Sequence, residues 1–60
     1  MKIFIEESVW TSGYYATCCG ATEWGLFPEE AVAALLHIVE CGATDPLIEK
    51  LLDEAEWGAI

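Results

Sequence analysis

Three acidic residues near the C-terminal end of the chain have the spacing of one helix face. Glu49, Asp53 and Glu56 lie at positions i, i+4 and i+7, so a helix here aligns their carboxylates opposite its leucines. With a rise of about 1.5 Å per residue, successive carboxylates lie roughly 4–6 Å apart along the axis. Phosphates of a nucleic-acid strand repeat on a similar scale, and Lys and Arg side chains pair with either group. The row predicts a basic, nucleic-acid-binding protein as the partner; the alternative is an ordinary solvated helix face.

The remaining acids support the same prediction. The 60-residue chain has eleven acidic residues against two lysines, a net charge of −9 and a pI near 4.1. Nucleic acid and anionic membranes repel such a chain, so we expect neither as a direct partner. Alternatively, the charge only keeps the protein in solution, since 55% of its residues are hydrophobic. The predicted supporting acids are Glu29, Glu30 and Glu40, all on the first helix.

Trp57 is the aromatic residue nearest to the predicted acidic row. On a helix it falls closer to the charged face than to the leucine stripe, whereas Trp10 lies in a predicted connection. Exposed aromatic residues beside acids are typical of protein-binding patches, in which aromatic anchors carry much of the binding energy. Two alternatives stay open: the aromatic residues cover the ends of the sheet, or a homodimer buries them.

The histidine and cysteine residues raise the question of a metal site. His37 and Cys41 lie four residues apart on the first predicted helix, and Cys18 and Cys19 complete the four ligands that zinc prefers. Adjacent residues of a strand point to opposite faces, so Cys18 and Cys19 are not expected to share a metal or to bridge each other. We therefore expect no metal and no cofactor, and a small zinc-binding protein is the lesser alternative.

Catalytic groups are present, but no catalytic motif organises them. A Cys–His pair or the carboxylates of Glu29 and Glu30 have the right chemistry for nucleophilic or acid–base catalysis. A chain of 60 residues has little room to enclose a substrate and exclude water. The sequence therefore predicts a protein that is not an enzyme.

A thin two-layer fold must position these residues, because a domain of this size buries only about 60% of its unfolded surface. Alternating and aromatic residues predict strands, and Pro28 and Pro46 favour helix starts. We predict a single α+β domain, residues 1–60, in which an αα-hairpin covers a small antiparallel sheet of two or three strands. The predicted elements are strands at about 2–8 and 13–19, a third strand or an irregular loop at 21–26, and helices at about 28–41 and 46–57.

The apolar runs of the sequence do not predict export or membrane insertion. Glu6 and Glu7 interrupt the first apolar run, which is too short for a signal peptide. The run at 31–39 has nine residues, whereas a transmembrane helix needs about 20. Three cysteines, an odd number, are typical of reduced thiols. We expect a cytoplasmic protein.

In general character the chain resembles the small acidic anti-CRISPR proteins of phages that mimic DNA. The resemblance rests on the Met-Lys-Ile-Phe-Ile start, the acidic segment 49–56, the small size and the absence of catalytic motifs. It covers the whole chain, although such proteins share no diagnostic motif. It implies a stoichiometric inhibitor, such as a type I-C inhibitor, that binds the DNA-binding surface of a bacterial surveillance complex. The alternative is an acidic structural or assembly adaptor that dimerises or docks through apolar surface.

Overall fold

Two helices and a four-stranded sheet make up the described part of the chain. The computed structural model describes residues 2–39, 42 and 44–58. Its elements confirm the predicted α+β class. The strands are β1 (Phe4–Glu7), β2 (Tyr14–Cys18), β3 (Ala21–Gly25) and β4 (Glu56–Gly58), and the helices are α1 (Pro28–Ile38) and α2 (Asp45–Glu54).

The sheet has the order β3-β2-β1-β4 and mixes antiparallel with parallel pairing. Both β1–β2 and β2–β3 are antiparallel, so the ambiguous segment at 21–26 contains a strand. β4 lies parallel to β1, and the Glu56 N–H donates to the Ile3 carbonyl at 3.0 Å. The prediction of an antiparallel sheet of two or three strands is therefore wrong. After α2, the chain returns to the open edge of β1 and adds a fourth, parallel strand.

The second helix ends three residues before its predicted end. The predicted helix runs to about residue 57, whereas α2 ends at Glu54 and Ala55 has an extended ψ of 150°. Helical periodicity continues equally well through the next residues, so it does not mark this end. The open edge of β1 determines where α2 ends, because the unpaired backbone groups of β1 offer hydrogen-bond partners to an extended segment.

The first helix begins as predicted at Pro28, whose fixed φ suits the first helical position. Leu35 and Leu36 are buried on the side of α1 that faces the core. α1 ends at Ile38. Positions 40 and 41 of the predicted helix lie outside the described residues.

The hydrophobic core lies between the helices and one side of the sheet, which we call the inner face. α1 packs against β2 and β3, and α2 packs against α1, as predicted for an αα-hairpin. The opposite side, the outer face, carries neither of the described helices. The core consists of Ile3, Ile5, Ala16 and Cys18 from the sheet side, Ala31, Val32, Leu35 and Leu36 from α1, and Ile48 and Leu51 from α2.

The turn between β2 and β3 has only two residues, Cys19 and Gly20. Cys18 pairs with Ala21 across the turn, and the two turn residues have φ values of 58° and 81°. Positive φ at both central positions is the backbone of a type I′ hairpin turn, whose twist matches that of the strands. Among the described residues, Cys19 is the one non-glycine residue with positive φ. The chain therefore leaves the strand immediately after Cys18.

Candidate protein-binding surfaces

The exposed side of α2 carries two of the three acids in the predicted row. Glu49 and Asp53 are exposed, whereas Ile48 and Leu51 on the other side of the helix are buried. One helical turn separates the two acids, which is about 6 Å along the axis. The structure thus brings Glu49 and Asp53 together as the sequence predicted.

Glu56 does not belong to this row, and its predicted position on the helix is wrong. It lies on β4 opposite Phe4, with its side chain on the outer face. There its Oε1 lies 3.5 Å from the Nζ of Lys2, in a pair that is about two-thirds exposed at both side chains. Such exposed pairs contribute at most about 1 kcal/mol. Because α2 ends before Glu56, this residue belongs to a strand, and strand alternation places its carboxylate on the outer face of the sheet, away from the helices.

Trp57 also lies on β4 rather than on a helix, but its side chain is on the inner face. It pairs with Ile5, and its ring meets that of Tyr14 edge-on, with centroids 6.3 Å apart and an interplanar angle of 84°. The ring remains more than half exposed. Trp57 is therefore on the same side of the sheet as α2 and its acids. The exposed part of its ring is an aromatic surface that a partner can cover.

Two of the predicted supporting acids, Glu29 and Glu30, lie in the first turn of α1 and are exposed. The positive end of the helix dipole favours acids at this place. Oε2 of Glu30 also accepts a hydrogen bond from the Leu26 N–H at 3.2 Å, so this carboxylate stabilises the helix start. Glu40, the third supporting acid, lies outside the described residues.

The helices carry most of the acidic side chains of the described chain. All of those on α1 and α2 are exposed, and the sole lysine among them is Lys50. The helical side of the molecule therefore carries a net negative charge. Its acids are Glu29, Glu30, Asp45, Glu49, Asp53 and Glu54.

The outer face of the sheet presents three aromatic side chains that sequence reasoning did not group together. Phe4, Tyr15 and Trp24 are each more than one-third exposed. Tyr15 pairs with Trp24, and Phe4 pairs with Thr17. Thr17 and Thr22 share a side-chain hydrogen bond of 3.0 Å on the same face. The alternation along β2 and β3 is the signal that could have revealed this surface.

Trp10 lies in the loop between β1 and β2 and is 92% exposed. The loop is ordered by hydrogen bonds: the side chains of Ser8 and Thr11 lie 3.0 Å apart, and the Ser8 N–H donates to the Gly13 carbonyl at 3.0 Å. The indole ring of Trp10 is thus exposed to solvent on a loop whose backbone is fixed by hydrogen bonds. This confirms that Trp10 lies in a connection and makes it an available aromatic contact.

The cysteines differ from their predicted arrangement. The Sγ atoms of Cys18 and Cys19 lie 2.9 Å apart, although adjacent side chains on a strand should point to opposite faces. The expectation of opposite faces, on which the prediction rested, is wrong because Cys19 belongs to the turn and not to the strand. Throughout residues 2–39, 42 and 44–58, no three His, Cys, Asp or Glu side chains gather as metal ligands.

Neither described helix has the length and apolar character needed to span a lipid bilayer. The described residues form no pocket. No protein-family model matches the sequence, and the comparisons with curated proteins and with solved structures also gave no match.

Proposed function

We propose that this protein is a stoichiometric inhibitor that imitates the charge of nucleic acid and blocks the DNA-binding surface of a bacterial defence complex, in the manner of anti-CRISPR proteins. The observation that carries the proposal is the pair of exposed carboxylates of Glu49 and Asp53, one turn apart on a helix that exposes four acids against one lysine. The protein acts as a binding protein and not as an enzyme, without a cofactor, in the cytoplasm of the bacterial host cell.

Inhibition follows from charge pairing at a groove that otherwise holds a DNA backbone. Glu49 and Asp53 take the place of successive phosphates and pair with Lys or Arg side chains of the partner. Glu29 and Glu30 extend the negative surface, and the exposed ring of Trp57 supplies an apolar anchor on the same side of the sheet. Because these groups are exposed, salt screens their attraction, with a Debye length of about 8 Å at physiological ionic strength.

A competition experiment with a purified type I-C surveillance complex and fluorescent target duplex tests the proposal. We expect the wild-type protein to displace the duplex, and added salt to weaken its binding. The double variant Glu49→Lys/Asp53→Lys should bind about 100-fold more weakly or worse, because each reversal replaces an attraction by a repulsion. Fluorescence anisotropy of the duplex measures the displacement.

The matched control is the double variant Glu6→Lys/Glu56→Lys, which changes the net charge equally at strand positions on the outer face, away from the proposed surface. It should inhibit within a few-fold of the wild type. Equal losses in both double variants would show that total charge matters and that the α2 acids do not form the site. If the wild-type protein leaves the duplex bound at saturating concentration, inhibition of this complex is contradicted.

The second candidate function is the acidic assembly adaptor, and the outer face favours it. Phe4, Tyr15 and Trp24 form an uncovered aromatic surface there. We propose a second copy of the chain as its occupant. The outer face carries few charges, with Lys2 opposing the acids Glu6 and Glu56, so two copies can meet there while their acidic helices stay apart.

Sedimentation equilibrium over a range of concentrations tests this assembly. The wild-type protein should reach the mass of two chains. Thr17→Glu should remain monomeric because it adds a like charge at the centre of the interface, whereas His37→Glu adds the same charge on exposed α1 and should still dimerise. A wild-type monomer at every concentration, or dimerisation of both variants, would rule out this interface.

A further inference from the structure

The adjacent thiols of Cys18 and Cys19 meet at the corner between β2 and β3. Their Sγ atoms are 2.9 Å apart, because Cys19 takes a left-handed φ of 58° and turns the chain immediately after the strand. From this geometry we infer that the pair is a redox modification site, in which a small-molecule disulfide such as oxidised glutathione converts the two thiols into a reversible intramolecular disulfide. In reducing compartments, protein disulfides are typically transient and redox-sensing.

The two thiols differ in access, and this difference gives each a role. Cys19 is exposed on the turn, whereas Cys18 is buried with its side chain in the core beneath α1. A glutathione molecule can therefore reach Cys19 directly. Cys18 is shielded from bulky reagents but already lies next to the sulfur that it must attack. Cys19 is thus the attacking thiol and Cys18 the resolving thiol.

The reaction proceeds by two thiol–disulfide exchanges. The Cys19 thiolate attacks one sulfur of oxidised glutathione, whose S–S bond breaks to release a glutathione thiolate and leave a mixed disulfide on Cys19. The Cys18 thiolate then attacks the Cys19 sulfur, and the second glutathione leaves as a thiolate. The two protons lost by the cysteines go to the two glutathione thiolates. Two protein thiols are oxidised, and one glutathione disulfide is reduced to two thiols.

The structural effect of the new bond is confined to the hairpin corner. In the chain-entropy account, stabilisation by a disulfide grows with the length of the loop that it closes. Here the loop contains only the two adjacent cysteines, so the bond hardly restricts the unfolded chain. It acts instead on the Cys19–Gly20 turn and on the buried position of the Cys18 sulfur, at the end of β2 where α1 packs.

Mass spectrometry of the folded protein after treatment with oxidised glutathione tests this inference. Cys41 lies outside the described residues and is replaced by serine in all proteins tested. Cys41→Ser should lose two hydrogen atoms in mass and retain no bound glutathione. Cys18→Ser/Cys41→Ser should stop at the mixed disulfide, because no resolving thiol remains. Cys19→Ser/Cys41→Ser should react at about one-tenth of the rate of Cys41→Ser or more slowly, because its remaining thiol is buried.

Circular dichroism before treatment shows whether each variant is folded, so unfolding cannot imitate any of these results. Reduction with dithiothreitol should restore the original mass of Cys41→Ser. The inference is overturned if this protein keeps glutathione as a stable adduct or forms only disulfides between two chains. It is also overturned if Cys18→Ser/Cys41→Ser and Cys41→Ser give the same product.

Discussion

Replacement of Gly25 by alanine is expected to destabilise the fold by about 3 kcal/mol, the upper end of the usual cost of overpacking. Gly25 ends β3 directly beneath the start of α1. A Cβ atom at this position would meet the Ala31 backbone nitrogen and lie 2.7 Å from the carbonyl carbon of Glu30. Both are backbone atoms of a helix, so neither can move without displacing α1 from the sheet. A domain of this length is stable by roughly 3–9 kcal/mol in total, so the substitution removes a large share. Urea unfolding followed by tryptophan fluorescence measures the loss.

Gly58→Ala is the matched control, because its Cβ would also approach a neighbour closely. That neighbour is the Cζ atom of Phe4, at 2.6 Å. The Phe4 ring is partly exposed on the outer face and can rotate away, so we expect a loss below about 1 kcal/mol. Equal destabilisation by the two substitutions would contradict the role given to backbone contact at Gly25.

Leu35→Ala is expected to cost about 2–5 kcal/mol, because it leaves a cavity in the core that the surroundings fill only in part. Leu35 is fully buried in the core that α1 shares with the sheet and α2. Thermal unfolding should show a fall in Tm of at least about 8 °C, since each kcal/mol shifts the midpoint of so small a domain by roughly 4–8 °C.

The comparison is Ile38→Ala on the same helix, where the side chain is about half exposed. Removal of an exposed aliphatic group away from special features changes stability by about 0.5 kcal/mol or less. A Tm drop for Ile38→Ala as large as that for Leu35→Ala would contradict the assignment of the buried stripe of α1.

Local signals predicted the helix starts and the first two strands. Pro28 and the buried Leu35 and Leu36 behave as periodicity and proline chemistry suggest. These features depend on neighbouring residues alone. The end of α2 was not predictable in the same way, because residues after Glu54 fit a helix or a strand and only the open edge of β1 favours the strand.

The candidate site residues show the same difference between positions that follow from local spacing and positions that depend on strand pairing. Glu49 and Asp53 share a helix face because their spacing matches the helical repeat. Glu56 falls on the other side of the sheet, paired with Lys2, because β4 replaces the last helical turn. The closeness of Cys18 and Cys19 was also missed, since it depends on a left-handed turn residue that strand alternation does not reveal.

The sequence by itself therefore determined the α+β class, the strongly acidic character of the protein and the paired acids of α2, because composition and short-range periodicity suffice for these. Tertiary structure alone decided which strand covers the edge of β1, which acids share a side, and how Phe4, Tyr15 and Trp24 form one exposed surface. The physical reason is that strand pairing joins residues far apart in the chain. Each backbone group then takes the hydrogen-bond partner that the folded neighbours offer, and that partner is not encoded in the local sequence.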